Sequence, residues 1–579
     1  GPFTASTNVG QSVAGFDLSS LDHAAYCSVY IVVLSKDLPS SLPPDSDDEK
    51  AKDAKSATGD EAKKSGDQEA KDKKDETAKK DEKKEEAKLP TVKIDFDGID
   101  QRILALPIPA RNYVDIQPGK EGVLYIAEGG PVANSSNEDG GPGIHTLWRF
   151  ALDKRETTEV LSDLDGYTLS ANGEKMLHKK GDGWFIATAD EVKTSPGKHL
   201  NLGDLQASVD PRAEYRQMYN ETWRIERDFF YDPNHHGLDL AKVEKRYEPY
   251  LAGIGSRDEM DYLFEEMLGE ITVGHMFIRG PRTPDHSPKT GLLGADYSVD
   301  HDRYKFAHIF SGENWNPALH APLTQPGVNV KASEYLLAVN GRELHASDNL
   351  YSFFEGTAGK QVVLRVGPNP DGSGARDVTV VAIDSEHALR NLAWIEGNRR
   401  KVDEMTHGQV AYVYLPNTAG AGFTNFNRYF FAQVEKKGVI IDERYNEGGD
   451  IADIVIDTLR RVPMSRYETR EGEDVTDPAG AIFGPKAMIT NQSAGSGGDL
   501  LPWYFRKAGL GPLIGTRTWG GLVGIGGYPV LLDGGMITAP RTALYGLHGE
   551  FEVENHGIKP DIEVEYDPKD VAAGHDPQL

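Results

Sequence analysis

The chain has 579 residues, 91 acidic against 63 basic side chains, and a formal net charge of -28. This balance excludes nucleic acid and anionic membrane surfaces as default partners, since both need a basic footprint. The single cysteine, Cys27, excludes an internal disulfide framework and is a poor candidate nucleophile, and no run approaches the roughly 20 apolar residues that a membrane helix needs.

The length predicts roughly three to five domains. Gly1-Pro2-Phe3-Thr4 runs directly into strand-like and turn-like sequence with no signal segment, so a longer parent protein is expected and the compartment stays open. Tyr26 to Leu34 reads as an apolar strand closed off by Pro39, Pro43 and Pro44. From Asp45 to Lys88 almost every residue is Lys, Glu, Asp or Ala, which predicts a solvated charged insertion at 45-88, because nothing there can offset the entropy of ordering. Short alternating runs then resume, at Val92 to Phe96, Val123 to Ile126 and Leu147 to Phe150, separated by Gly, Asn and Asp turns. Strands at this spacing fit the last blades of a β-propeller over residues 1-204.

Near Asp210-Pro211 the period changes. Met218, Thr222, Ile225 and Phe229 fall on one helix face with Tyr215 and Tyr219 beside them, opening a helical domain over 205-284. A second helix is announced by the capping box Ser256 to Glu259, with Tyr262, Leu263, Met267 and Leu268 as its expected apolar face, and it ends near Gly269. Residues 285-386 carry Gly291-Leu292-Leu293-Gly294, the run Tyr335 to Val339, the tight-turn pair Asn340-Gly341 and the run Val362 to Val366. This pattern resembles a PDZ domain, whose open sheet edge takes a peptide as an added strand. From 387 to 579, strands at Val410 to Leu415, Gly438 to Asp442, Ala487 to Thr490 and Pro512 to Gly515 alternate with helical stretches, predicting an α/β domain with a largely parallel sheet.

Ser496 lies in Ser493-Ala494-Gly495-Ser496-Gly497-Gly498-Asp499, between an apolar strand and the helix-like Leu500 to Phe505. A hydroxyl at a helix N-terminus is a nucleophile candidate, because the backbone N–H groups there can hold an oxyanion. A second glycine cluster, Asp442 to Asp450, follows another strand end, so Gly448 and Gly497 become candidate oxyanion donors. Asp442, Arg444 and Asn446 alternate as expected for internal hydrogen bonds that brace the turn. His275, directly after the second helix, is a candidate general base, with His235, His236, His548 and His556 weaker. No metal-ligand spacing occurs, and no cofactor is implied.

Glu214 to Asp232, Asp442 to Gly449, Ala494 to Asp499, Gly515 to Gly521 and Val553 to Gly557 occur in one order, and this order resembles the C-terminal half of tricorn-type serine peptidases, relatives of the C-terminal-processing peptidases. The resemblance covers roughly residues 205 to 570. It implies that His275 takes the proton of Ser496, that Glu554 is the acidic member, that the amides of Gly448 and Gly497 form the oxyanion hole, and that Glu468, reaching in from a neighbouring subunit, selects basic side chains. It also implies peptide substrates, a homo-hexameric cage and the cytoplasm, with a periplasm as the alternative. One departure stands out. The family has a serine before the histidine, linking it to the glutamate; this chain has Gly274, so a water or Thr272 is expected to bridge. Two rival readings stay open: an esterase-like hydrolase, which would need His548 or His556 after the serine, and a catalytically weak peptide-binding scaffold.

Overall fold

The computed structural model describes residues 2–5, 26–42, 92–130, 144–193, 197–281, 287–316, 319–472 and 474–579, so the 45-88 insertion lies outside the described residues. The described residues fall into two compact units, one up to residue 205 and one of residues 206–579.

The first unit is antiparallel β throughout. Strands β1 (Pro2–Ala5), β2 (Ser28–Val32) and β3 (Ile103–Ala105) form one sheet, β4 (Tyr113–Pro118), β5 (Val123–Glu128), β6 (Ile144–Ala151) and β7 (Glu156–Leu164) a second, and β8 (Gly166–Leu169), β9 (Lys175–Lys180), β10 (Gly183–Thr188) and β11 (Lys198–His199) a third. The last two are four-stranded meanders, built on alternation that buries residues such as Tyr125, Leu147 and Met176. Val92 to Phe96 forms no strand: the Asp95 amide donates to the Leu34 carbonyl at 3.0 Å, and Val92 and Phe96 are exposed. Alternation marked it as a strand, but one backbone bond to its neighbour makes no ladder, and the segment stays irregular.

The second unit holds the chemistry. Helix α1 (Pro211–Phe229) starts at Asp210, whose carboxylate accepts from the amides of Arg212 and Ala213, with Pro211 in the first turn. It buries Met218, Tyr219, Thr222, Trp223 and Ile225. Helix α2 (Leu240–Tyr247) is followed by α3 (Arg257–Leu268), capped by Ser256, whose hydroxyl accepts from the Glu259 amide at 3.2 Å; the returning Glu259 carboxylate takes the amide of Gly255. The expected apolar face of α3 is shifted: Met260 and Phe264 join Leu263, Met267 and Leu268 inside, while Tyr262 is exposed. The helical core is completed from far along the chain, by Leu531, Ile537 and Ala539, and β12 (Ile278–Arg279) pairs antiparallel with a strand at Met536–Ile537.

Next comes the antiparallel PDZ-like sheet: β13 (Ala295–Asp300), β14 (Arg303–Ile309), β15 (Tyr335–Val339), β16 (Arg342–Glu343), β17 (Gln361–Gly367) and β18 (Arg376–Val381). Its order is β13-β14-β15-β17-β18, so β13 is an edge, and Asn340-Gly341 makes the turn between β15 and β16. Helix α4 (His387–Met405) leads into the α/β core of β19 (Val410–Tyr414), α5 (Gly420–Phe431), β20 (Gly438–Asp442), α6 (Ala452–Leu459), an exposed hairpin of β21 (Ser465–Glu468) and β22 (Asp474–Asp477), β23 (Lys486–Thr490), α7 (Gly497–Lys507) and β24 (Leu513–Gly515). After β25 (Val523–Gly524), β26 (Met536–Ile537) and β27 (Thr542–Ala543) comes β28 (Ile562–Glu563). Strands β19, β20, β23, β24 and β28 lie side by side in chain order and all parallel. Covered on both faces, they read as continuous apolar runs such as Ala411-Tyr412-Val413 and Val439-Ile440-Ile441. Among the described residues no helix is long and apolar enough to cross a membrane.

Candidate active site

Loops leaving the C-terminal ends of β19, β20 and β23 meet at one edge of the parallel sheet, the position where open α/β sheets build sites. The amide of Thr418, after β19, donates to the Gly448 carbonyl at 2.9 Å, and the amide of Gly495, after β23, donates to the Asn446 carbonyl at 3.0 Å. Asp442, Arg444 and Asn446 brace the central loop as the sequence pattern suggested. Arg444 is fully buried and donates to both Asp442 oxygens and to Asp576, while Asn446 Oδ1 accepts from the Gly448 amide at 3.0 Å. Desolvation lowers the Arg444 pKa, but those two carboxylates raise it further, so the buried guanidinium stays charged.

Ser496 stands at the sharp bend between β23 and α7 with φ 57° and ψ -114°, a strained conformation for a side-chain-bearing residue that is typical of an exposed nucleophile turn. The bend is held by Asp499. Its carboxylate accepts from the amides of Ser496 (2.9 Å), Gly520 (2.8 Å) and Gly521 (3.1 Å) and from the Thr518 hydroxyl (2.5 Å). Burial raises the Asp499 pKa even so. Glu443, wholly buried below the loop, is pushed well above the usual carboxyl range by desolvation and then by Asp499. Gly497 occupies the first turn of α7, where its amide has no intrahelical partner. A side chain there would start 1.9 Å from Thr418 Oγ1 and 2.3 Å from the Gly449 carbonyl, so only glycine lets the two loops approach this closely. Gly448, at φ +93°, faces Ser496: a Cβ there would lie 2.7 Å from the serine Cβ.

His275 arrives from the helical region in a loop fastened by long-range bonds. Thr538 Oγ1 donates to the His275 carbonyl and accepts from the Phe277 amide at 2.7 Å, and Asn555 Nδ2 donates to the Thr272 carbonyl at 2.9 Å. The imidazole is 6 % exposed, between Phe277 and Trp519, with ring centroids at 5.5 and 5.1 Å. Among the described residues its Nδ1 is buried without a partner, and desolvation lowers its pKa to about 4, so the ring is neutral at neutral pH. Glu554 does not reach the ring. Its oxygens accept from the amides of Gly274 (2.6 Å), Leu522 (2.5 Å) and Val523 (3.1 Å). The amide of Gly274 therefore ties the loop that carries His275 to Glu554. A side chain at 274 would begin 3.2 Å from Glu554 Oε1 and 3.1 Å from the Gly521 Cα.

Among the described residues no hydrogen bond joins Ser496 Oγ to His275. Trp519 borders both loops: a Cβ on Gly495 would meet its ring at 2.6 Å, and one on Gly274 would meet it at 3.5 Å. Thr538, Leu522 and Val523 were not singled out from the sequence, and no role was read for Trp519 within Gly515 to Gly521, because no local pattern marks a contact formed only when residues 272–277, 494–499 and 519–523 come together. The other histidines sit elsewhere. His235 Nε2 faces the Glu226 carbonyl, His236 Nε2 the Tyr231 hydroxyl, His556 Nδ1 the Glu554 carbonyl, and His548 is exposed. Glu468 is exposed at the end of β21, and among the described residues it has no ion-pair partner.

Three domain families match in chain order: the tricorn protease C1 domain over residues 211–269, the tricorn protease PDZ domain over 291–385 and peptidase family S41 over 409–564. The chain is 32 % identical to tricorn protease homolog 1 of Streptomyces coelicolor over 501 residues, 85 % of this chain and 47 % of that protein. It is 27 % identical to the tricorn protease of Thermoplasma volcanium over 475 residues, 82 % of this chain and 46 % of that one. The crystal structure of the tricorn protease superposes with a TM-score of 0.76 at 27 % identity, covering 85 % of this chain and 48 % of that chain. The chain thus spans about half the length of these relatives.

Proposed function

The chain belongs to the tricorn protease family, and on that premise we propose that it is a serine peptidase whose nucleophile is Ser496. The observation that carries this reading is the strained Ser496 turn at the N-terminus of α7, with the Gly497 amide outside the helix ladder beside it and a buried neutral imidazole packed against the same tryptophan. His275 takes the Ser496 proton as the hydroxyl attacks a peptide carbonyl. The tetrahedral oxyanion is held by the Gly497 amide and by the Gly448 amide, once the latter leaves Asn446 Oδ1. Collapse releases the amine, protonated by His275, and leaves an acyl-enzyme on Ser496 that water hydrolyses with the same base.

The finer reading follows the relatives. Short unfolded peptides released by larger proteases are the substrates, cut internally or from their ends. The antiparallel meanders of the first unit are terminal blades of a β-propeller. The working form is a homo-hexamer in the cytoplasm, in which Glu468 of a neighbouring subunit selects basic side chains. Membership of a peptidase family favours this over the esterase and scaffold readings. Labelling by a fluorophosphonate probe tests the core of it: the wild type is expected to label, and Ser496→Ala and His275→Ala are not. An unlabelled wild-type protein would refute the nucleophile.

A further inference from the structure

Strand β13 is one of the two edge strands of the PDZ sheet, a place where an added peptide strand can pair, and the Gly291-Leu292-Leu293-Gly294 loop leads into it. In that loop the Gly291 amide donates to the Phe354 carbonyl and the Leu292 amide to the Ile383 carbonyl, so both are used within the domain. The amides of Gly294 and Ala295 are turned to a different partner. Both donate to one carboxylate oxygen of Glu386, at 2.7 and 3.2 Å. The second oxygen of Glu386 takes Nη2 and Nε of Arg390, at 2.6 and 3.0 Å, and Arg390 Nη1 reaches Asp296 on β13 at 2.8 Å. The Glu386 side chain is only 10 % exposed. One step along the edge, the Tyr297 hydroxyl is desolvated beside Glu386 and Tyr351, and its pKa is raised by burial and then by the Glu386 charge.

Two converging backbone amides at the head of a free strand form a carboxylate site, and this chain displays the bound state with its own side chain. We infer that Glu386 is an internal occupant of the carboxylate slot of the PDZ domain, and that it excludes the C-terminal carboxylate of a peptide from that slot. The physical basis is effective concentration. A carboxylate tethered beside the slot competes at millimolar or higher local concentration, and an outside peptide binds only to the fraction of molecules in which Glu386 has left. Glu386 directly precedes α4, and Leu389 on that helix packs with Phe310 and Ala321, so the plug also fixes the PDZ sheet to the helix that opens the catalytic domain.

Binding is best measured on the full chain carrying Ser496→Ala, which removes turnover, so the result does not depend on the peptidase reading. The probe is a fluorescent hexapeptide with an apolar last residue, prepared as the free acid and as the C-terminal amide, and the readout is anisotropy. With Glu386 present the two peptides are expected to bind equally weakly. Adding Glu386→Ala is expected to tighten the acid about tenfold and leave the amide unchanged, the worth of one charge-assisted hydrogen bond. If Glu386→Ala unfolds by circular dichroism, Glu386→Gln serves. It keeps an acceptor for the two amides but loses the ion pair with Arg390, and a smaller gain of about threefold for the acid is expected. Equal binding of acid and amide by the variants, or acid binding as tight with Glu386 in place as without it, overturns the proposal.

Discussion

The Ser496 turn and the His275 loop are built in opposite ways. Around Ser496, residues close in sequence or joined by neighbouring parallel strands satisfy one another: Asp499 takes four donors, and Asn446 takes the amides of Gly495 and Gly448. Around His275 the hydrogen-bond ties reach more than 260 residues along the chain, to Thr538, Glu554 and Asn555, and among the described residues the ring itself is left with an unpartnered nitrogen. One half of the site is rigid by local construction, whereas the other is an interface that holds its residue by packing. The difference teaches where the site is robust and where it can be tuned.

Breaking the rigid half is expected to have the largest effect. Gly497→Ala drives a methyl group into Thr418 and the Gly449 carbonyl, so kcat/KM for a peptide substrate should fall ~1,000-fold with the removal of one oxyanion donor from its place. A loss under tenfold would show that the turn yields. Asp499→Asn keeps the size of the side chain but leaves two donors facing an NH2 group. It should lower the unfolding free energy by ~2 to 4 kcal/mol and the rate by ~100-fold; an unmoved urea midpoint would discount its bracing role.

The interface half should respond in pH rather than in integrity. With its pKa near 4, His275 stays neutral well below the ordinary 6.5, so the acid limb of kcat/KM is expected near pH 4. Trp519→Ala wets the ring and should move that limb up by about one to two pH units, on the order expected when burial is relieved. A limb that stays put would assign the shift to other neighbours. The same burial has a stability sign. The unfolded chain binds a proton on this histidine between about pH 4 and 6.5 and the folded chain does not, so stability falls as pH drops through that window, by at most ~3 kcal/mol.

The smallest effect sharpens the comparison most. Gly274→Ser needs a shift of a few tenths of an ångström and places a hydroxyl beside Glu554 on the residue preceding His275, whose Nδ1 has no partner among the described residues. A rise in kcat/KM of about threefold to tenfold is expected, and it should vanish when Glu554→Gln is added, a coupling read from a double-mutant cycle. Additive effects would mean that no relay forms.

Much of the molecule was legible in the chain itself. The helical period from Met218 to Phe229, the Ser256 cap, the parallel strands at Val410 to Tyr414 and Gly438 to Asp442 and the glycine clusters after them are local signals, because backbone geometry and burial act over a few residues. Tyr262 misled because one exposed aromatic on a helix has the same period as a buried one, and Val92 to Phe96 because alternation does not supply a pairing strand. The sequence by itself determined the order of the matched domains, the parallel sheet and which side chains are candidates for the chemistry. Only the tertiary structure decided that Trp519 covers His275, that backbone amides fill Glu554 and that Glu386 takes the amides of Gly294 and Ala295. Those contacts are made mostly by backbone groups, which every residue carries alike, across separations of tens to hundreds of positions, and no side-chain pattern encodes them.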